Sequence, residues 1–269
     1  MERHLAVLAL LVLRLQAAEP VTKPACRTTS WERKFTKHMS DILQTPGMLL
    51  EGSIVDCGAE TGGESCLFAD LAPERTVHAI DPLPYNIESV RKLVRSGRPN
   101  IKPIRVGLGS AERIVHIGQS KHTKSGSMLI NVHHAPSFAG NESSRTFHVR
   151  RLDNLFGFAK LAGERFHGEW AGEKLAFGHF DLEGGELELL KGAKQVILRD
   201  RPVFTIEVGI GGAPYPVALQ VLASLGYRAF MVPERCGIPK ECRNVLCFPL
   251  ERLPPAWLVN GTEPGALHE

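Results

Sequence analysis

The chain has no apolar run long enough to cross a bilayer. Its longest, Leu5–Leu13, covers nine positions, and a helix needs about 20 to span the hydrocarbon core. No stable membrane span is therefore expected. No sign of charge dominates either: 32 basic residues face 29 acidic ones, for a net charge of +3. That balance lacks the concentrated basic footprint of a nucleic-acid binder, so no nucleic-acid partner is expected. The basic stretch Arg91–Arg98 reads as the solvated face of a helix end, where positive charge is favourable. There is no Cys-x-x-Cys, and the Cys and His spacings fit no zinc pattern, so no metal site is expected. The Gly-x-Gly-x-x-Gly of dinucleotide binders is also missing. That spacing brings backbone N–H groups up to a pyrophosphate, and its absence argues against a nicotinamide-dependent enzyme.

What is present is the composition of a folded domain, 43% hydrophobic and 23% charged over 269 residues. The length suits one large α/β domain. Residues 1–18 match a secretory signal peptide: a short apolar core, then small residues at Ala17 and Ala18. The expected location is the secretory pathway or the extracellular space, with the cytoplasm as the alternative. Two sequons, at Asn141 and Asn260, are compatible with that route. Of the six cysteines, Cys57 and Cys66 fall inside a strand and a helix and are expected to serve packing. Cys26, Cys236 and Cys242 lie in loop-like segments and are the better disulfide candidates. Residues 19–45 read as a linker and a helix, 46–250 as the main domain, and 251–269 as a tail that is either a cover or a loose end.

From Ser53 onward, strand-like and helix-like patterns alternate. This predicts a doubly wound, mostly parallel α/β sheet. A helix is expected over 185–198, and 118–145 shows no periodicity at all. Ligands of such sheets sit outside the carboxyl ends of the strands. The residues expected to end strands are Asp56, Asp81, Asp181 and Glu207. Four carboxylates on one rim form a site pattern rather than a packing pattern.

The first of them opens the stretch Val55-Asp-Cys-Gly-Ala-Glu-Thr-Gly62. Glycines permit a sharp turn and close approach of a ligand to the backbone. An acid at the strand end favours a ligand that carries an amino group and a positive charge. S-adenosylmethionine has both and carries no phosphate. Asp81, at the end of the next strand, is placed to accept the ribose hydroxyls of an adenosine, or else to cap the turn at Pro82.

A second segment, Asp181-Leu-Glu-Gly-Gly-Glu-Leu-Glu-Leu-Leu-Lys-Gly-Ala193, follows, with Arg151-Leu-Asp-Asn-Leu155 between the two. Together they resemble the FkbM-type S-adenosylmethionine-dependent methyltransferases. That family pairs Val-Asp-x-Gly-Ala-Asn-x-Gly with Asp-x-Glu-Gly-x-Glu-x-x-x-Leu-x-Gly-Ala, and the likeness runs from about residue 50 to about 235. It implies a Rossmann-like sheet of the class I methyltransferase type and transfer of methyl to a hydroxyl oxygen. The implied partner is a small-molecule or glycan acceptor. Asp56, Gly58, Ala59, Glu60, Gly62, Asp81 and Asp181 are then expected to hold S-adenosylmethionine. Asp181 is the first choice for a catalytic carboxylate, with His179 as a second base candidate and Glu207 as an acceptor contact. Glu183 and Glu186 serve either the helix start or the substrate. The His133–His134 pair reads as a lid or acceptor-side surface. Glu60 departs from the family, which has Asn there. A noncatalytic relative acting as a secreted or lumenal interaction module is the alternative.

Overall fold

The computed structural model describes residues 25–26, 32–116, 146–158, 160–161, 164–165, 169–182, 184–209, 215–236 and 242–264. The segment expected to be a signal peptide, residues 118–145, Glu183 and the sequon at Asn141 lie outside them. The main sheet is built from β1 (Ser53–Cys57), β2 (Val77–Ile80), β3 (Ile101–Ile104), β9 (Leu175–Phe180), β10 (Val203–Val208), β11 (Tyr227–Cys236), β12 (Cys242–Pro249) and β13 (Glu263–Pro264). Its order is β13-β11-β12-β10-β9-β1-β2-β3. The run β3-β2-β1-β9-β10 is parallel. β12 runs antiparallel to both β10 and β11, so β11 points the same way as the parallel strands. The order turns at β1, which has β2 on one side and β9 on the other, and this makes the switch point at which such sheets bind ligands. Among the described residues no helix is long and apolar enough to cross a membrane.

Strands β1, β2 and β9 are buried along their whole length, as parallel strands covered on both faces must be. One face packs against α1 (Arg33–Gln44), α2 (Gly63–Leu71) and α3 (Pro84–Arg95), through Phe35, Met39, Ile42, Phe68 and Val90. The other packs against α5 (Glu186–Gly192), α6 (Lys194–Asp200) and α7 (Tyr215–Ser224), through Leu189, Val196, Ile197 and Leu222. Alternation therefore divides β1: Ile54 belongs to the first core and Val55 and Cys57 to the second. The side chain of Asp56 follows that of Ile54 toward α1 and α2.

Several expectations need correction. The helix expected over 185–198 is two helices, α5 and α6, joined at Ala193. A one-turn helix, α4 (Leu152–Leu155), brings in the cause. The Asp153 carboxylate accepts from the backbone N–H of Gln195 and of Val196, each at 2.9 Å, and so gives α6 an N-terminus of its own. Residues 101–108 are likewise divided between two sheets. β3 stays in the main sheet, while β4 (Gly107–Leu108) joins β5 (Arg113–His116) and β6 (Thr146–Arg150) in a separate three-stranded sheet, and β7 (Lys160–Leu161) pairs with β8 (Glu164–Arg165). Arg98 is not part of a solvated face. It is 1% exposed and donates to both carboxylate oxygens of Asp70, at 3.0 and 2.7 Å. Cys66 does more than pack: it is bonded to Cys26, 40 positions away, which ties the N-terminal segment to α2. The tail, as far as it is described, covers the structure rather than hanging loose. It packs a 3-10 turn at Ala256–Val259 by α1 and adds β13 to the sheet edge.

Candidate active site

The rim acids divide into three groups. The first lies beneath the glycine loop. Asp56 is fully buried; one carboxylate oxygen accepts a hydrogen bond from the Ser65 hydroxyl in α2, and the other meets His179 Nδ1 at 2.9 Å. The His179 ring packs against Phe35 and Phe68, with centroids 5.8 and 6.0 Å away. Burial alone would lower the pKa of this imidazole, but the hydrogen bond and charge of Asp56 outweigh it and lift the value to about 9. The Asp56 carboxylate thus favours the protonated imidazole, and a ring 6% exposed among Phe35, Phe68 and Asp56 is poorly suited to the base role expected of it. Beside it, burial raises Glu64 to about 7.

The second group is the loop itself. Its amides face inward: those of Gly58 and Ala59 both donate to the Ile80 carbonyl at 3.0 Å, and that of Gly62 to the Ala59 carbonyl at 2.7 Å. The Glu60 amide donates to Asp81 Oδ2 at 3.1 Å. A loop that spends its N–H groups on its own sheet makes no cradle for phosphate, which suits a ligand without one. Asp81 also accepts from Asn86 Nδ2 at 2.9 Å and from the Leu83 amide at 2.8 Å. A carboxylate has about four acceptor positions, so three are already used. Asp81 therefore caps the turn into α3 and retains acceptor capacity for a further donor. Burial raises its pKa to about 6. Glu60, exposed at the crest of the loop, has a left-handed backbone with φ of 45°.

The third group gathers at the carboxyl ends of β9 and β10. Oxygens of Asp181, Glu186 and Glu207 lie within 4.8 Å of one another. Glu186 reaches back from the first turn of α5, and its Oε1 accepts from the amides of Leu182 at 2.9 Å and Gly184 at 3.2 Å. Burial raises its pKa to about 7, with the Asp181 charge adding to the effect. Asp181 Oδ1 is buried and makes no hydrogen bond.

The profile of the methyltransferase FkbM domain matches residues 56–229, more than half of the chain. The chain belongs to the FkbM methyltransferase family. Its sheet is that of the class I methyltransferases. No curated protein matches the chain in sequence. Among solved structures it is similar to the methyltransferase FkbM of Methylobacillus flagellatus KT, at 17% identity and a TM-score of 0.47. That likeness covers 77% of this chain and 47% of the other, so the chain spans about half that relative's length. It is also similar to precorrin-6y C5,15-methyltransferase from Geobacter metallireducens GS-15, at 13% identity and a TM-score of 0.44, covering 86% of this chain and 100% of that one.

The FkbM-like segments divide their labour. In the Leu-Asp-x-Leu segment, Asp153 is structural, since its carboxylate starts α6. In the Leu-x-Gly-Ala segment, Gly192 is a contact residue, because a Cβ there would stand 2.0 Å from the Gly109 carbonyl oxygen. Ser65, Glu64 and Asn86 escaped the sequence reading. Asn86 follows Pro82 and Pro84 at a helix start, a place where a polar side chain facing back to Asp81 could have been sought. Ser65 carries no signal of its own beyond its distance of nine positions from Asp56.

Proposed function

We propose that the chain transfers a methyl group from S-adenosylmethionine to a hydroxyl oxygen of a carbohydrate or another small molecule. The observation that carries this reading is the carboxylate group at the switch point: Asp181, Glu186 and Glu207 within 4.8 Å, beside the inward-turned Gly58–Gly62 loop. S-adenosylmethionine supplies an electrophilic methyl on a sulfonium sulfur. The chain must orient the acceptor in line with it and remove one proton. Asp181 Oδ1 takes the proton that the acceptor hydroxyl sheds as its oxygen bonds to the methyl carbon. Glu186, whose burial raises its pKa to about 7, lessens the negative charge beside Asp181 and in its protonated form donates to an acceptor oxygen. Glu207 provides a further hydroxyl contact from β10. Asp81 has one acceptor position left for a ribose hydroxyl, and the loop from Gly58 to Gly62 borders the remainder of the nucleoside.

The Cys26–Cys66 bond supports a secretory location, since disulfides persist in oxidising compartments. A lumenal enzyme would depend on imported methyl donor, and for this reason a noncatalytic lumenal module is the competing reading. Titration calorimetry with S-adenosylmethionine separates the two. The methyltransferase reading expects measurable binding, and thermal stabilisation by the demethylated product. No heat and no stabilisation would refute it.

A further inference from the structure

We propose that Cys236 and Cys242 form a second disulfide, which closes the β11–β12 hairpin at the rim that carries the site. The two residues are opposite each other in the antiparallel register of β11 and β12. Opposed residues in such a ladder have α-carbons about 4.5 to 5.5 Å apart, within the range a disulfide bridges. The other cysteines leave no rival partner. Cys26 and Cys66 are bonded to each other, and Cys57 and Cys247 are buried thiols in β1 and β12. The same ladder shows why a covalent hold has value here. Pairing is irregular between Met231 and Arg235, and the next register pair sets Arg235 opposite Arg243. An irregular ladder leaves this end of the pairing less well held by its own strands.

The position of the hairpin gives the bond its interest. β11 runs parallel to β10, so Cys236 lies on the same edge of the sheet as Asp181 and Glu207. The pair stands one step beyond the Val208–Arg243 pairing that ends β10. That the clamp borders the acceptor side rests on the proposed function; the bond itself does not. In its formation two thiols lose two protons and two electrons to a disulfide-bearing oxidoreductase of the secretory compartment, which leaves as the dithiol.

Peptide mapping of the full chain, expressed in eukaryotic cells with its own N-terminal segment, tests the bond without any activity assay. The chain is denatured and alkylated with iodoacetamide before any reductant is added, then cut with trypsin. Cleavage after Arg235, Lys240 and Arg243 separates the two cysteines into peptides 236–240 and 241–243. The expected result is one joined species of these two peptides, lost on reduction, with Cys57 and Cys247 alkylated. In Cys236→Ser, Cys242 should become alkylated. Separate peptides with both cysteines alkylated, or either one joined to another cysteine, would overturn the proposal.

Discussion

The α-carbon of Gly58 lies against the backbone carbonyl of Asp181. A Cβ added at Gly58 would stand 1.8 Å from that oxygen. The two residues come from segments more than 120 positions apart, yet the end of β1 and the end of β9 are pressed together at this point. The Asp181 amide closes the same contact by donating to the Cys57 carbonyl at 2.9 Å. The close approach fixes how far Asp181 stands from the loop, and hence where its carboxylate meets Glu186 and Glu207.

Gly58→Ala should therefore damage both the fold and the site. The position combines the clash with a φ of 87°, a region in which alanine is strained. The expected loss is about 2 to 4 kcal/mol, or a fall in melting temperature of roughly 5 to 15 °C. Thermal unfolding followed by circular dichroism checks it, and a variant that melts with the wild type would show that β1 and β9 are not in contact here.

Glu60→Asn should act in the opposite direction. Glu60 adopts a φ of 45°, and asparagine tolerates the left-handed region better than other non-glycine residues. The change also removes a negative charge that raises Asp81. A gain of about 0.5 kcal/mol and tighter S-adenosylmethionine binding are expected. Glu60→Val, β-branched and disfavoured in this conformation, should lose stability. If both variants melt at the wild-type temperature, the strain at this position is negligible.

The division between what the sequence disclosed and what it hid follows from range. Alternating strands and helices, the rim acids and the two glycine segments are local patterns, and β1, β2, β9 and β10 stand where those patterns put them. The antiparallel β12 was within reach for the same reason, since β11 and β12 are neighbours along the chain. Which acid faces which partner depends on contacts between distant segments. Asp56 and Asp181 look equivalent in sequence, as acids closing apolar strands. The register of β1 against β9 pairs Asp56 with His179, so one acid is spent on an internal ion pair while the other remains at the rim. Arg98 shows the same limit. Its neighbours Arg91 and Arg95 face Glu88 on the surface, but one turn further on Asp70 draws Arg98 inside.

Stability should fall as pH rises from 5 to 9. A group whose pKa is higher in the folded chain than in the unfolded one binds its proton more tightly when folded. Its contribution is complete below the unfolded pKa and is lost as pH climbs through the folded one. For Glu64 and Glu186 that window runs from 4.5 to about 7, and for Asp81 from 3.8 to about 6. For His179 it runs from 6.5 to about 9, amounting to at most ~3 kcal/mol. All four groups act in the same direction. Melting curves across this range should decline in two stages. Glu64→Gln should flatten the lower stage and His179→Asn, which keeps a donor for Asp56, the upper one. A melting temperature that rises between pH 7 and 9 would contradict the Asp56–His179 ion pair.

Asp181→Asn separates the two jobs this carboxylate could hold. Asparagine preserves size and hydrogen bonding but accepts no proton at neutral pH. A base role predicts a fall in kcat of about 10²- to 10⁴-fold, with S-adenosylmethionine affinity changed by less than about threefold. A role in gripping the amino group of the methyl donor predicts the reverse, weak binding with turnover largely retained at saturation. The variant has a second signature. The Asp181 charge adds to the burial that keeps Glu186 protonated near neutral pH, so its loss should move the titration of Glu186 downward, visible by NMR of a sample labelled at the glutamate carboxyls. Weak binding with retained turnover would remove Asp181 as the base. Glu207, on the adjacent strand within 4.8 Å of Asp181 and Glu186, would then be the carboxylate to test next.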